Sequence, residues 1–335
     1  MLSRSSKRAG AVLAALGLFL VSAFANSACA ESRIPEDAKS AFDSGDYLKA
    51  IEILNRAASA APRDAGVQHL LARSYFESEQ FDRAIPPAEA SISIEPANSA
   101  YHELLGRAYG EKADRSGWFG GLSLAKKARK EFETAVQLDE HNFSAMQALI
   151  EYDCSAPSIA NGGEDKARRE ISKLAEIDAA EGHYAAGNCR RQKKEIETAD
   201  AEFRKALALH PASADLIFDI GDHYMKHNQP DGLALVVRES ERAAASDPRA
   251  PFYRAVLLVL QKQDALGAAR TIQEYLAKTP ARSNYPSKAM AHYWLGRIEE
   301  NQSDLPSAKR EYQAALKLEP KNRYANDAMK RLQHD

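Results

Sequence analysis

No set of side chains in this 335-residue chain has the spacing of a known catalytic constellation, which argues against an enzyme. His223 and His227 lie four apart, as two metal ligands on one helix face would. Tyr224, however, stands where the zinc-hydrolase motif has its glutamate, and no third ligand is indicated, so neither metal nor cofactor is expected. The glycine pairs Gly120-Gly121 and Gly162-Gly163 follow no strand and have no P-loop lysine beside them, and they read as turns. Positive charge is not in excess, with 45 Lys and Arg against 47 Asp and Glu, which excludes a general nucleic-acid binder. The one long apolar run, Ala11 to Phe24, has fourteen residues, short of the about 20 that a bilayer-spanning helix needs. Cysteine is scarce: Cys29, Cys154 and Cys189 are the three, with no sign of a catalytic thiol.

What the chain does have is a beat. Ala50 and Ala84, and likewise Pro62 and Pro96, are 34 residues apart in similar surroundings. A unit that short cannot bury its own apolar face and must stack on copies of itself, which predicts an all-α helical solenoid. Leu71-Ala72-Arg73-Ser74-Tyr75, Leu105-Gly106-Arg107-Ala108-Tyr109 and Ile220-Gly221-Asp222-His223-Tyr224 repeat one first-helix pattern, in which a small residue admits the second helix. Ala199, Phe203, Ala206 and Pro211 share second-helix offsets with Ala308, Tyr312, Ala315 and Pro320, and the proline ends each unit because it lacks the N–H to continue the helix.

These residues resemble the tetratricopeptide repeat (TPR) family from about residue 35 to the end, which implies a right-handed α-solenoid. Roughly eight units are expected over residues 31–335, starting near 31, 65, 99, 143, 180, 214, 249 and 289, with a capping helix over 323–333. The fourth lacks both the closing proline and the small first-helix residue. Two interruptions, Gly110 to Gly121 and Ala156 to Gly163, are predicted as loops. The stretch from Leu104 to Asp178 is similar to exported bacterial TPR proteins that share an Ala-Pro…Gly-Gly insertion, a resemblance that brings no activity with it. A further loop, Thr279 to Pro286, is where a bend is expected.

Residues 1–30 read as a signal peptide. Arg4, Lys7 and Arg8 precede the apolar run, and Ala28-Cys29-Ala30 has the small-x-small form of a cleavage site. Cleavage after Ala30 gives a periplasmic or secreted product with no stable membrane insertion. The run's length opposes an uncleaved anchor, and Asn26 opposes lipid attachment at Cys29, which wants a large aliphatic residue there. Loss of the three basic residues leaves the mature chain mildly acidic. Its two remaining cysteines, Cys154 and Cys189, fall on first helices of adjacent units. They form a disulfide if their Cα atoms come within about 7 Å, and otherwise pack as small apolar thiols.

The TPR resemblance implies that first helices line a concave groove, with their second, fifth, ninth, twelfth and thirteenth positions facing in. The fifth positions are His69, Glu103, Gln147, Tyr184, Phe218, Tyr253 and Tyr293. The last four make an aromatic ladder, flanked by Asn188, Arg191, Asp222, Met225 and Arg297. Such a ladder either anchors an extended peptide or packs one repeat on the next. Arg73, Phe76, Glu103, Arg107 and Glu151 make the first half polar and mixed in sign. The fifth positions offer no lysine, which disfavours the TPR clamp that grips a C-terminal carboxylate. Trp118 and Phe119, between glycines, are a candidate contact loop or fold back on the helix ends. The run Lys126, Lys127, Arg129 and Lys130 reads as a solvated helix face. The function expected is an exported scaffold binding a protein or peptide in its groove. The alternative is a structural subunit of a cell-envelope complex that makes contact through its convex face or ends.

Overall fold

The computed structural model describes residues 34–156 and 161–332, with all their side chains except those of Trp118 and Phe119. The signal peptide, its cleavage position, residues 157–160 and the last residue expected in the capping helix lie outside the described residues.

Among the described residues there are 17 α-helices and no strand. α1 (Glu36–Asp43) packs on α2 (Tyr47–Ala60), α3 (Ala65–Glu77) on α4 (Phe81–Ile94), α5 (Ser99–Asp114) on α6 (Trp118–Leu138), and α7 (Phe143–Ser155) on α8 (Glu164–Ile177). The second half continues with α9 (Ala179–Gln192) on α10 (Ile196–Ala208), α11 (Ala214–Lys226) on α12 (Pro230–Ala243), α13 (Arg249–Leu260) on α14 (Ala265–Lys278), and α15 (Lys288–Asn301) on α16 (Leu305–Leu318). A last helix, α17 (Arg323–Arg331), covers α16. It buries Ala325 and Ala328 and half-buries Met329 and Leu332.

A short polar side chain starts most first helices. Asp64, Asn98, Asn142, Asp178, Ser213 and Ser287 each accept a hydrogen bond from a backbone N–H of the first turn, satisfying donors that a helix start leaves unpaired. Within most pairs the turn passes through the left-handed region, as at Gly45, Glu79, Lys194, Asn228, Lys262 and Ser303. Gly45 is the glycine among these. A Cβ there would also stand 3.1 Å from Pro280, so both backbone and neighbour demand its absence.

The two helices of a pair meet where a small residue faces a ring. A Cβ added to Gly187 would fall 2.4 Å from Phe203, one on Gly296 2.5 Å from Tyr312, and one on Gly106 2.6 Å from Phe132. The buried side chains form one cluster over α1–α7 and another over α10–α17, with two small separate ones, of Ala289, Ala315 and Ala325 in α15–α17 and around Met146, Ile150, Leu174 and Cys189 in α7–α9. Cys154 and Cys189 are joined there as a disulfide, with Cα atoms 5.6 Å apart. Beside it, the Arg129 guanidinium donates to both oxygens of buried Asp153, at 3.0 and 3.1 Å.

Two expectations are corrected. Gly110 to Gly121 is not a loop: α5 runs on to Asp114, α6 begins at Trp118, and only residues 115–117 connect them. The extra residues lengthen both helices, and Gly121 keeps them in contact, because a Cβ there would lie 3.0 Å from the Ala113 carbonyl oxygen. Trp118 and Phe119 therefore open a helix rather than tip a loop. Arg129 leaves the solvated face predicted for its run and is buried on Asp153, while Lys126, Lys127 and Lys130 are exposed.

The glycine-to-ring seam gives a direct expectation. Gly187→Val should destabilise the protein by about 2–3 kcal/mol through overpacking against Phe203, read as a lower urea midpoint. An unchanged midpoint would mean that α9 and α10 part without cost.

Candidate binding cavity

The segment between α14 and α15 returns to the start of the chain. Tyr47 Oη donates to the Ala281 carbonyl at 2.7 Å, and Arg282 donates to the Asp43 carbonyl at 3.2 Å. The N–H and Oγ of Ser283 both donate to the Glu77 carboxylate, at 3.0 and 3.3 Å. At its other end Asn284 Nδ2 donates to Asp215 at 3.0 Å, and Arg249 donates to the Asn284 carbonyl at 3.2 Å. Tyr275 Oη donates to the Pro286 carbonyl at 2.8 Å. This strap spans from α1 and α3 to α11 and α13, and with the inner helices it bounds a cavity of about 1300 Å³.

The cavity wall is polar and acidic. Nine carboxylates line it, from Glu77, Glu103 and Glu111 round to Asp215, Asp219 and Asp222, against four arginines, Arg73, Arg107, Arg249 and Arg282. Several of these groups are held in networks between repeats. Tyr184 Oη donates to Asp219 at 3.0 Å, Arg191 pairs with Asp219 at 2.9 Å, and Tyr253 Oη donates to Asp222 at 2.6 Å. Asn188 Nδ2 donates to Glu151 at 3.2 Å, and Gln147 Nε2 donates to the Glu181 carboxylate and carbonyl, each at 3.0 Å. Burial, and then the Asp219 charge, pushes the Glu151 carboxyl above its ordinary range, and burial does the same to Glu181. Burial likewise holds the Tyr184 and Tyr253 hydroxyls well above the usual phenol range. The site is thus a preorganised wall rich in carboxylates.

Residues 41–108 match one tetratricopeptide repeat family model and residues 253–323 another. The chain is a TPR protein. Among solved structures it is similar to human IFIT1 bound to m7Gppp-AAAA, at 16% identity over 89% of this chain and 70% of that one, with a TM-score of 0.51. It is also similar to a tetratricopeptide repeat protein from Parabacteroides merdae, at 13% identity over 90% of this chain and 97% of that one, with a TM-score of 0.44. No curated protein matches it.

The TPR positions singled out from sequence divide into three groups. Phe218, Tyr253 and Met225 are buried, and the Phe218 and Tyr253 rings stack at 5.2 Å with Arg249 at 4.5 Å over Phe218. They pack one repeat on the next and offer the cavity little more than an edge, so the ladder is not a set of open anchors. Tyr293 is buried too, and Arg297 donates to its hydroxyl at 3.0 Å. Both border a separate hollow of about 670 Å³ with Asn228 and Tyr324, so the ladder is also not continuous. Tyr184, Asp222 and, from the first half, Arg73, Glu103, Arg107 and Glu151 do line the main cavity. Asn188 is fully buried and reaches the wall through Glu151. Phe76 is buried with Arg107 at 5.0 Å over its ring. His223 is buried 2.5 Å from Asp200, and His227 Nδ1 lies 2.8 Å from the His223 carbonyl, so each histidine already has a neighbour.

Sequence reasoning missed the strap and the carboxylates it holds. The available signal was Thr279 to Pro286 itself, where two prolines flank Arg282 and Asn284 in a segment too long for an inter-repeat turn.

His69, on α3, is half-buried beside Tyr101 with ring centroids 4.6 Å apart. Burial, then the Arg73 charge, lowers its pKa from 6.5 to about 4. The unfolded chain therefore takes up this proton first as pH falls. The stability contributed is complete above pH 6.5 and is lost between pH 6.5 and 4, by about 3 kcal/mol. His69→Phe should remove that part of the acid sensitivity. Parallel stability–pH curves for parent and variant would overturn the assignment.

Proposed function

We propose that this TPR protein is an exported binding scaffold that holds a segment of another protein in its inner cavity and does no chemistry of its own. The observation that carries the reading is the open, acceptor-lined cavity of about 1300 Å³, large enough for several residues of extended chain. TPR proteins in general act through protein–protein contacts, which supports the class. IFIT1 is described with a capped RNA, but a wall with nine carboxylates against four arginines repels a polyanion.

Export rests on the basic leader and the cleavage motif ending at Ala30. The Cys154–Cys189 bond supports it, since disulfides persist in oxidising compartments. Protein recovered from the cell envelope should begin at Glu31 by N-terminal sequencing. An intact Met1 terminus would sink this part of the reading.

The binding reading is tested on side chains that line the cavity and are themselves exposed: Arg107, Glu111 and Asp114. Replacing all three by alanine should leave helicity and melting unchanged and weaken partner capture from envelope extract at least tenfold. A partner held equally by both forms would favour the alternative of a structural subunit, and would move the contact to the edge where Leu138 and Leu318 stand exposed at the ends of α6 and α16.

A further inference from the structure

The strap shows what the cavity wall can hold. Its segment between Pro280 and Pro286 forms no helix and turns at Ser283-Asn284, where the Tyr285 N–H donates to the Arg282 carbonyl at 3.1 Å, since each proline fixes its own backbone and restricts the residue before it. Four of its hydrogen bonds to the solenoid are donated and three are accepted, at the Ala281, Asn284 and Pro286 carbonyls. The Arg282 guanidinium, the Ser283 N–H and hydroxyl, and the Asn284 amide all point at oxygens of Asp43, Glu77 and Asp215. Behind it the excess of carboxylates persists, because three of the four wall arginines are already paired: Arg249 with Asp215 and Asp247, Arg282 with Asp43, and Arg107 with Glu103. A second observation asks for donors as well. Gln147 lines the cavity and is more than nine-tenths buried, and its Oε1 has no hydrogen-bond partner, an arrangement that costs about 1–3 kcal/mol until a donor arrives.

We propose that the 279–286 strap stands in for the ligand of this cavity: a non-helical stretch of another protein carrying arginine or lysine, which takes the wall carboxylates and displaces the strap from Asp43, Glu77 and Asp215. The inference rests on the reading of the cavity as a polypeptide site and adds the charge of the polypeptide and the way it enters. The strap makes only a handful of hydrogen bonds, most of them solvent-exposed, so a ligand with more cationic groups outcompetes it. Until then its tether gives it an effective concentration on the order of millimolar, which keeps weak or acidic segments out.

The test uses a labelled peptide with the sequence of residues 279–287, read by fluorescence anisotropy. It is titrated into the protein and into a variant in which residues 280–285 are replaced by a Gly-Ser linker of equal length, with helicity checked. The peptide should bind the linker variant at least tenfold more tightly than the parent. Added salt should weaken it, and the same peptide with Arg282→Glu should lose binding. Equal or tighter binding of an acidic peptide would overturn the charge assignment and leave the polypeptide reading standing. Binding of spermine but of no peptide, or of no probe at all, would overturn both. A measurement on the unaltered protein guards against a misfolded variant: saturation with the basic peptide should speed exchange of the Ser283 amide, which Glu77 now holds. Unchanged exchange in the peptide-bound protein would rule out displacement.

Discussion

The contact on which the rest of this structure depends is the approach of a small residue in each first helix to a ring or side chain in its partner. Gly106 against Phe132, Gly187 against Phe203 and Gly296 against Tyr312 occupy one repeat position, and each fixes how closely two helices lie and hence the rotation carried to the next pair. Small rotations summed along a solenoid set its curvature. Here they bring the segment after α14 back within hydrogen-bonding distance of α1 and α3. Without close seams the wall would be straighter and the strap would not reach α3.

Two repeats depart from this rule, and each carries a compensating device. In the fourth, Ile150 sits where six of the repeats have glycine or alanine, and the core breaks into a separate small cluster. The end of α7 is secured instead by the Cys154–Cys189 bond, by the pairing of Asp153 with Arg129, and by the Gly163 N–H donating to the Asp153 carbonyl at 2.9 Å. Closing a loop of about 35 residues removes roughly 3–4 kcal/mol of unfolded-state entropy in the chain-entropy view, comparable to what a good hydrophobic seam supplies. In the seventh repeat Val256 takes the small-residue position and is fully buried. That repeat is the one followed by the strap.

The fold was legible because it is overdetermined. Spacing, small residues, closing prolines and the apolar stripe all repeat, so that errors at one position are corrected by others. The insertion in the third repeat was misread because its glycines were weighed as turn formers. Gly121 serves instead to let α5 and α6 touch along two lengthened helices, a role that depends on a partner helix no local pattern displays. The aromatic positions were located correctly on the first helices, but whether a ring faces a ligand or a neighbouring repeat depends on side-chain direction across a contact between units. Phe218 and Tyr253 stack on one another, which their spacing alone left open. The strap's contacts join residues more than 200 apart in sequence, beyond the reach of any periodicity.

Burying the rings also shapes the electrostatics of the cavity. Tyr184 and Tyr253 direct their hydroxyls at Asp219 and Asp222, so each packing ring fixes a carboxylate on the inner wall, and those carboxylates are spaced by the solenoid itself. Burial, and then the Asp219 charge, raises Glu151, and such a wall stores unfavourable charge–charge energy that a cation relieves. Preorganised acceptors lose little entropy when a ligand arrives, whereas mobile surface carboxylates would lose more. An inner wall of this kind discriminates by charge and hydrogen-bond direction before it discriminates by shape, and the aromatic rings contribute to it by holding those charges in place.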